Sequence, residues 1–455
     1  MFDAYLEKHK ERFLGDLLTH VRIPSISQTG EGIAEAIEFL RAQFERLGCE
    51  TTVHQTSVHP VIIAETGPKD AKFTLLIYGH YDVVPATKAQ GWNTEPFEPV
   101  IDGDRIWGRG TGDNKGQHLA RVFGLETYRE VVGALPIRVK FVIEGEEEIG
   151  SHGFTQFVME NPHLLKADLC CYSDAPMFPN DQPVLFMGVR GIMQLEFRAT
   201  GAKKGLHSGL FGGVAPSPIM QLCKMFARIV DAEGRVAIPE FNRHDEVALA
   251  RDLAALARLP LDYPGVVEQM GVEPVTGRDS VAYYRNLMCR HSFNVSGISG
   301  GYTGEGARNA IPNEAIAKVD IRVAGGFDPV QLFAALEAWL QKDNADNAQS
   351  GVRISVKKLS GEPPSKTPID NRFVEVIKRA VTKGFGREPL VVPSMGATTP
   401  DYVFTKILGM PSILVPYAPY DENNHVANES TKVSLYLGGI KASAHIIDEL
   451  SKAYG

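Results

Sequence analysis

The chain has 455 residues, 44% hydrophobic and 22% charged, with a formal net charge of −8. That length exceeds one ordinary core and predicts two domains. The acidic balance argues against broad affinity for nucleic acid, and no apolar run approaches the roughly 20 residues of a membrane span.

The first segment, MFDAYLEKHKERFLGDLL, is charged and amphipathic. It lacks the long apolar stretch of a secretory signal and reads as a first helix. EAIEFLRAQFERLG carries apolar residues at helical spacing and ends in glycine. FTLLIY, IRVKFVIE and DLCCYS are short, apolar and β-rich, as in strands buried on both faces. Between the first two of these lie a glycine-rich loop and a helix from about Gln117 to Val132. The alternation predicts an α/β domain with a mainly parallel sheet. Near Gly188 the pattern changes. A strand (GIMQLEFRATG) and a helix (PSPIMQLCKMFARIV) lead into a long excursion with a helical stretch around DEVALARDLAALARL. Two strands (HSFNVSGI, AIAKVDIRVAG), a helix (DPVQLFAALEAWLQ) and a last strand (VRISVKKLSG) follow. The order β-α-β-β-α-β is the split βαβ arrangement of an α+β domain. This second domain is placed at 188–361, inserted into a first domain made of 1–187 and 362–455. The five cysteines, Cys49, Cys170, Cys171, Cys223 and Cys289, show no CxxC spacing. Such an odd set points to reduced thiols, a cytoplasmic setting and no thiolate metal site.

Open α/β sheets gather their sites beyond the carboxyl ends of the strands. Here three strands end in polar groups: His80 and Asp82 in GHYD, Glu146, Glu147 and Glu148 in EGEEEIGS, and Asp174 in YSD. Singly, each has a bland reading: a structural histidine, a solvated acidic turn, a helix cap. Together at one end of one sheet they suggest a site. His80 and Asp82 are two apart on a strand and share a face, so Asp82 can hold one ring nitrogen while the other meets a metal. The loop GRGTGDNKGQH lacks GxxxxGK[ST] and carries an acid, Asp113. It fits a backbone crowding a metal better than a phosphate cradle. Converging carboxylates repel by roughly 4 kcal/mol per pair at 4 Å and an effective dielectric of 20, so the cluster needs cations. Oxygen and imidazole donors suit zinc or manganese.

In these stretches the chain resembles the M20 metallopeptidases, a group of carnosinase-type dipeptidases, aminoacylases, acetylornithine deacetylases and succinyl-diaminopimelate desuccinylases. The matching stretches are GHYDVVP, GWNTEPFEPVIDGDRIWGRGTGDNKG, EGEEEIGS, YSD, GLHSG, AIPNEAIAKVDIRV and NNHVANE. The resemblance implies a dinuclear catalytic domain with an inserted lid that dimerises. His80 and Asp174 would hold one metal, Glu148 and His425 the other. Asp113 would bridge both, and Asp82 would orient His80. Glu147 would be the general base, taking a proton from the metal-bridging water and returning it to the leaving amine. Of the triple glutamate, Glu147 and Glu148 match the family spacing, which leaves Glu146 as a solvated residue. The implied cofactor is a pair of divalent ions, zinc first, with manganese or cobalt as alternatives.

Two further residues keep two readings each, and a third stands where the family pattern changes. His207 in GLHSG is either an ordinary loop histidine or, as in dimeric relatives, a group reaching the partner's site. Arg322 shares a strand face with Lys318 and Asp320, which reads as a solvated face or as a clamp for a substrate carboxylate. Thr398, expected to bind substrate, stands in PSMGATTPDY, which departs from the dipeptidase-like GGSIP pattern, with Ala397 and Thr398 where glycine and serine are expected. The leading expectation is a homodimeric hydrolase of dipeptides or small peptides, with N-acyl amino acid deacylation as the alternative. Neither nucleic acid nor membrane is expected as a partner.

Overall fold

A computed structural model describes residues 1–259, 263–273 and 279–455. It divides into two compact units, 1–188 with 367–392 and 399–455, and 189–366 with 393–398. The second unit thus takes in a short segment that chain order alone places with the first.

The first unit is built on an eight-stranded sheet. Its strands run in the order Glu50–His54, Val61–Thr66, Arg138–Glu144, Thr74–His80, Leu169–Tyr172, Ser412–Leu414, Val184–Phe186, Leu390–Val392. The central pairings are parallel, whereas Glu50–His54 and Val61–Thr66 run antiparallel at one edge. The central strands bury both faces, as their unbroken apolar runs require. Helices cover them with the periodicity read from the sequence: Ile33, Ala36, Leu40 and Phe44 line the buried stripe of Ile33–Arg46. Helix Lys115–Val131 is buried along most of its length and packs against Val433–Tyr454. It also presses on strand Thr74–His80. A Cβ added at Gly79 would lie 2.6 Å from Cβ of His118, so only glycine admits that approach.

The second unit holds a four-stranded antiparallel sheet, ordered Ser292–Ser299, Glu314–Val323, Gly191–Thr200, Arg353–Glu362. Met193, Leu195, Phe197 and Ala199 alternate inward and meet Leu222, Met225 and Ile229 of one helix and Leu332, Leu336 and Leu340 of another. This is the split βαβ arrangement. The excursion after its first helix contains helices Glu246–Leu256, Tyr263–Met270 and Ser280–Cys289. Arg322 lies on the opposite face of its strand, in line with Lys318 and Asp320, each less buried than the residues between them.

Candidate metal centre

Strand Thr74–His80 pairs in parallel with both Arg138–Glu144 and Leu169–Tyr172. Parallel pairing puts all three carboxyl ends on one edge, so His80, the turn Glu147–Ile149 and Asp174 emerge together. Asp113 reaches the same place from the loop before helix Lys115–Val131. His425 arrives from a distant loop, where its backbone adopts φ 59°.

Two groups of potential ligand atoms result. In each, one donor atom per residue lies within 4.8 Å of the others: His80, Asp113 and Asp174 form one group, and Asp113, Glu148 and His425 the other. Nε2 of His80 is 3.1 Å from Oδ1 of Asp113 and 3.4 Å from Oδ1 of Asp174. Nε2 of His425 is 3.1 Å from Oδ2 of Asp113 and 2.7 Å from Oε2 of Glu148. Asp113 thus offers one oxygen to each group. Behind His80, Nδ1 lies 3.3 Å from Oδ1 of Asp82. The Asp82 carboxylate also accepts the N–H groups of Glu147 at 3.3 Å and Glu148 at 3.1 Å. It therefore ties the strand end to the glutamate turn. Glu147 stands beside both groups and belongs to neither.

The charges in this pocket are lopsided. Among the described residues no lysine or arginine pairs with Asp113, Glu148 or Asp174; their ionic partners are the two histidines. Protons are drawn in to compensate. Burial lifts Glu147 well above the ordinary carboxylate range, with Asp174 adding to the shift and His80 opposing it. Burial and Asp113 push Glu148 up to about 7, against His425. Burial works against a charge on His425, yet Asp113 and Glu148 push it up to about 10. The same contest, won by Asp174 and Asp113, raises His80. Oε1 of Glu148 is buried without a hydrogen-bond partner. An acidic pocket without a fixed cation, an orphaned carboxylate oxygen and imidazole nitrogens aimed inward fit a pair of divalent ions. Cysteine contributes nothing: all five thiols are free and none joins either group.

The remaining sequence candidates sit in the second unit. Nη1 of Arg322 donates to Oγ1 of Thr398 at 2.7 Å. His207 is exposed, and its Nδ1 accepts the Gly209 N–H at 3.1 Å. One expectation is corrected. Glu146 is not solvated: it is 1% exposed, and its Oε2 accepts the Gly153 N–H at 2.9 Å. It braces the start of the next helix, a contact seven residues away that the EEE run does not reveal.

Several residues at the site carry no clear signal in the sequence. Nδ2 of Asn114 donates to the Ser173 carbonyl at 2.7 Å and to Oδ1 of Asp174 at 2.8 Å, fixing that carboxylate. Glu422 is buried with Oε2 unpartnered, and burial followed by Asp113 lifts its carboxyl well above the usual range. The N–H groups of Gly110, Gly112 and Asp113 all point at Glu429, so the loop's donors serve an internal carboxylate rather than a phosphate. Only the position of Glu429 within NNHVANE hints at a role.

Comparison with known proteins agrees with this geometry. The model of peptidase family M20/M25/M40 matches residues 76–449. The Cys-Gly metallodipeptidase of Schizosaccharomyces pombe is 27% identical over 98% of this chain and 97% of its own length. Human Beta-Ala-His dipeptidase is 28% identical over 87% of this chain and 78% of its own. Among solved structures, an M20 family metallo-carboxypeptidase from Sulfolobus solfataricus superposes with a TM-score of 0.85 at 31% identity. It covers 97% of this chain and 99% of that one.

Proposed function

This chain belongs to peptidase family M20/M25/M40, and we propose that it hydrolyses the peptide bond of dipeptides or small peptides with two divalent cations. His80, Asp113 and Asp174 would hold one ion, and Asp113, Glu148 and His425 the other. The observation that carries this reading is the sharing of Asp113 between two donor groups whose acids pair, among the described residues, with no lysine or arginine. Bound there, the ions would polarise the scissile carbonyl and make water acidic enough to react near neutrality. Zinc is the proposed metal, with manganese or cobalt as alternatives.

The chain's own groups supply the rest. Glu147 takes the proton from the attacking water and delivers it to the amine nitrogen as the C–N bond breaks. Its place beside both donor groups, outside either, suits that shuttle. Asp82 holds the His80 ring and the backbone under Glu147 and Glu148, so one carboxylate aligns base and ligands. Arg322 and Thr398 receive the substrate's carboxylate, a task that suits the planar guanidinium. We further propose a homodimer in which His207 supports the partner's reaction, and a cytoplasmic location, which the five free cysteines support. Among the described residues no helix is long and apolar enough to cross a membrane. The relatives above are dipeptidases and a carboxypeptidase, which does not favour the N-acyl amino acid deacylase alternative.

The test pairs metal analysis with a substrate panel of Cys-Gly, Beta-Ala-His and other dipeptides, tripeptides, and N-acetyl and N-succinyl amino acids. Dipeptide cleavage should vanish on chelation and return with added metal. Undiminished turnover after exhaustive chelation, or faster cleavage of acyl amino acids than of peptides, would overturn the proposal.

A further inference from the structure

We propose that Glu429, paired with Arg109, is the positioning residue that sets the distance between Asp113 and His425. The inference rests on the metal reading above and goes beyond the ligands themselves. Glu429 is fully buried. Its Oε1 accepts the N–H groups of Gly110, Gly112 and Asp113, each at 3.0 Å. Its Oε2 accepts Gly110 N–H at 3.0 Å and Nη1 of Arg109 at 2.6 Å. Successive amides converging on one anion form a nest, and the turn that makes it needs Gly110 at φ 87°. The last amide in the nest is that of Asp113, the residue both donor groups share.

The other end of the arrangement matters equally. Glu429 belongs to the loop that carries His425, and Nη2 of Arg109 donates to the carbonyl of Val426 at 3.3 Å. The Glu429 carbonyl accepts the N–H of Gly108 at 3.0 Å, and Arg109 lies 5.2 Å over the Trp92 ring. Two loops some 320 positions apart are therefore clamped together, with Asp113 on one and His425 on the other. A neutral side chain could cap one or two of these amides. Three amides and a guanidinium together call for a carboxylate. Arg109 opposes that charge, and the three amides fix where the carboxylate sits.

The test is the affinity of the chelator-stripped full-length protein for Zn2+ and for Mn2+, by titration calorimetry, in wild type, Glu429→Gln and Arg109→Lys. Glu429→Gln presents amide hydrogens to amide donors and should weaken at least one cation by about 10- to 100-fold. Arg109→Lys, which keeps the charge and loses the fork, should act in the same direction with a smaller change. Two readouts separate positioning from bulk stability. The gap in Tm between loaded and stripped protein should shrink in both variants, and amide exchange should quicken in 108–114. If the variants lose Tm equally with and without metal and keep wild-type affinity, the inference is overturned and the metal reading stands. If Glu429→Gln does not fold, Arg109→Lys with unchanged affinity overturns it alone. Wild-type protein that binds neither ion would sink both.

Discussion

The two units treat their buried charges differently. In the first, Asp113, Asp174 and Glu148 gather with only histidines for ionic partners. In the second, Arg190 is 6% exposed, and among the described residues neither it nor Arg322 has a carboxylate within ion-pair distance. Burial and the nearby Arg322 bring the Arg190 guanidinium down to about 10. Other buried charges are met in different ways: Arg109 is ion-paired with Glu429, whereas, among the described residues, Lys115 and Glu144 meet only carbonyls and hydroxyls. Burying an ion unpaired costs several kcal/mol, so a cluster of gathered carboxylates favours a cation that completes the balance. The carboxylate pocket of the first unit calls for cations, in keeping with the metallopeptidase family; a carboxylate ligand for the arginines of the second is the proposal that a substitution of Arg322 tests.

The most severe way to break the comparison is to remove the shared acid. Asp113→Ala should empty both cation sites and lower kcat/KM by more than about 10⁴-fold, since the ions and the base lose their alignment at once. Metal analysis of the purified variant checks it; one ion retained at full occupancy would show that Asp113 is not shared. Glu147→Gln should keep both ions and lower kcat by roughly 10²- to 10⁴-fold, measured beside the same metal analysis. On the positive side, Arg322→Met should raise KM about 10- to 100-fold, the worth of a hydrogen bond to a charged group. The effect should be confined to peptides with a free carboxyl terminus, and an equal effect on their amides would remove the clamp.

The smallest effect is a pH dependence in the second unit. Burial, then His244 and Arg190, bring the His291 ring down to about 3 from an ordinary 6.5. The unfolded chain therefore takes up a proton before the folded one does, and stability present above pH 6.5 is lost as pH falls. At pH 5 the loss should be about 1–2 kcal/mol. Urea unfolding at pH 7.5 and 5, in chelator, should show this slope flattened in His291→Gln. An identical slope in the variant would mean that His291 is not the group responsible.

Much of the first unit is legible in the amino-acid sequence. Runs such as FTLLIY, IRVKFVIE and DLCCYS reveal buried strands because apolar continuity is a local property, and their polar ends follow from chain order. Their common edge follows from parallel pairing, which the alternation with helices predicts. His425 is within reach only through the family motif, since nothing local distinguishes a histidine in an exposed loop. Glu146, Asn114 and Glu429 are not legible as structural supports. Their partners include backbone N–H groups or carbonyls presented by turns up to 319 positions away. Hydrophobic periodicity carries no trace of such contacts, because they depend on where loops end up after the sheet has formed.

Asp113 gives one oxygen to each donor group, and this has a thermodynamic consequence. Two sites that share an anion cannot fill as independent compartments. Whatever factor the first ion imposes on the affinity of the second, the second must impose on the first. A titration of the stripped protein should therefore depart from a two-independent-sites isotherm, and replacing one ion with a different element should retune the hold on its neighbour.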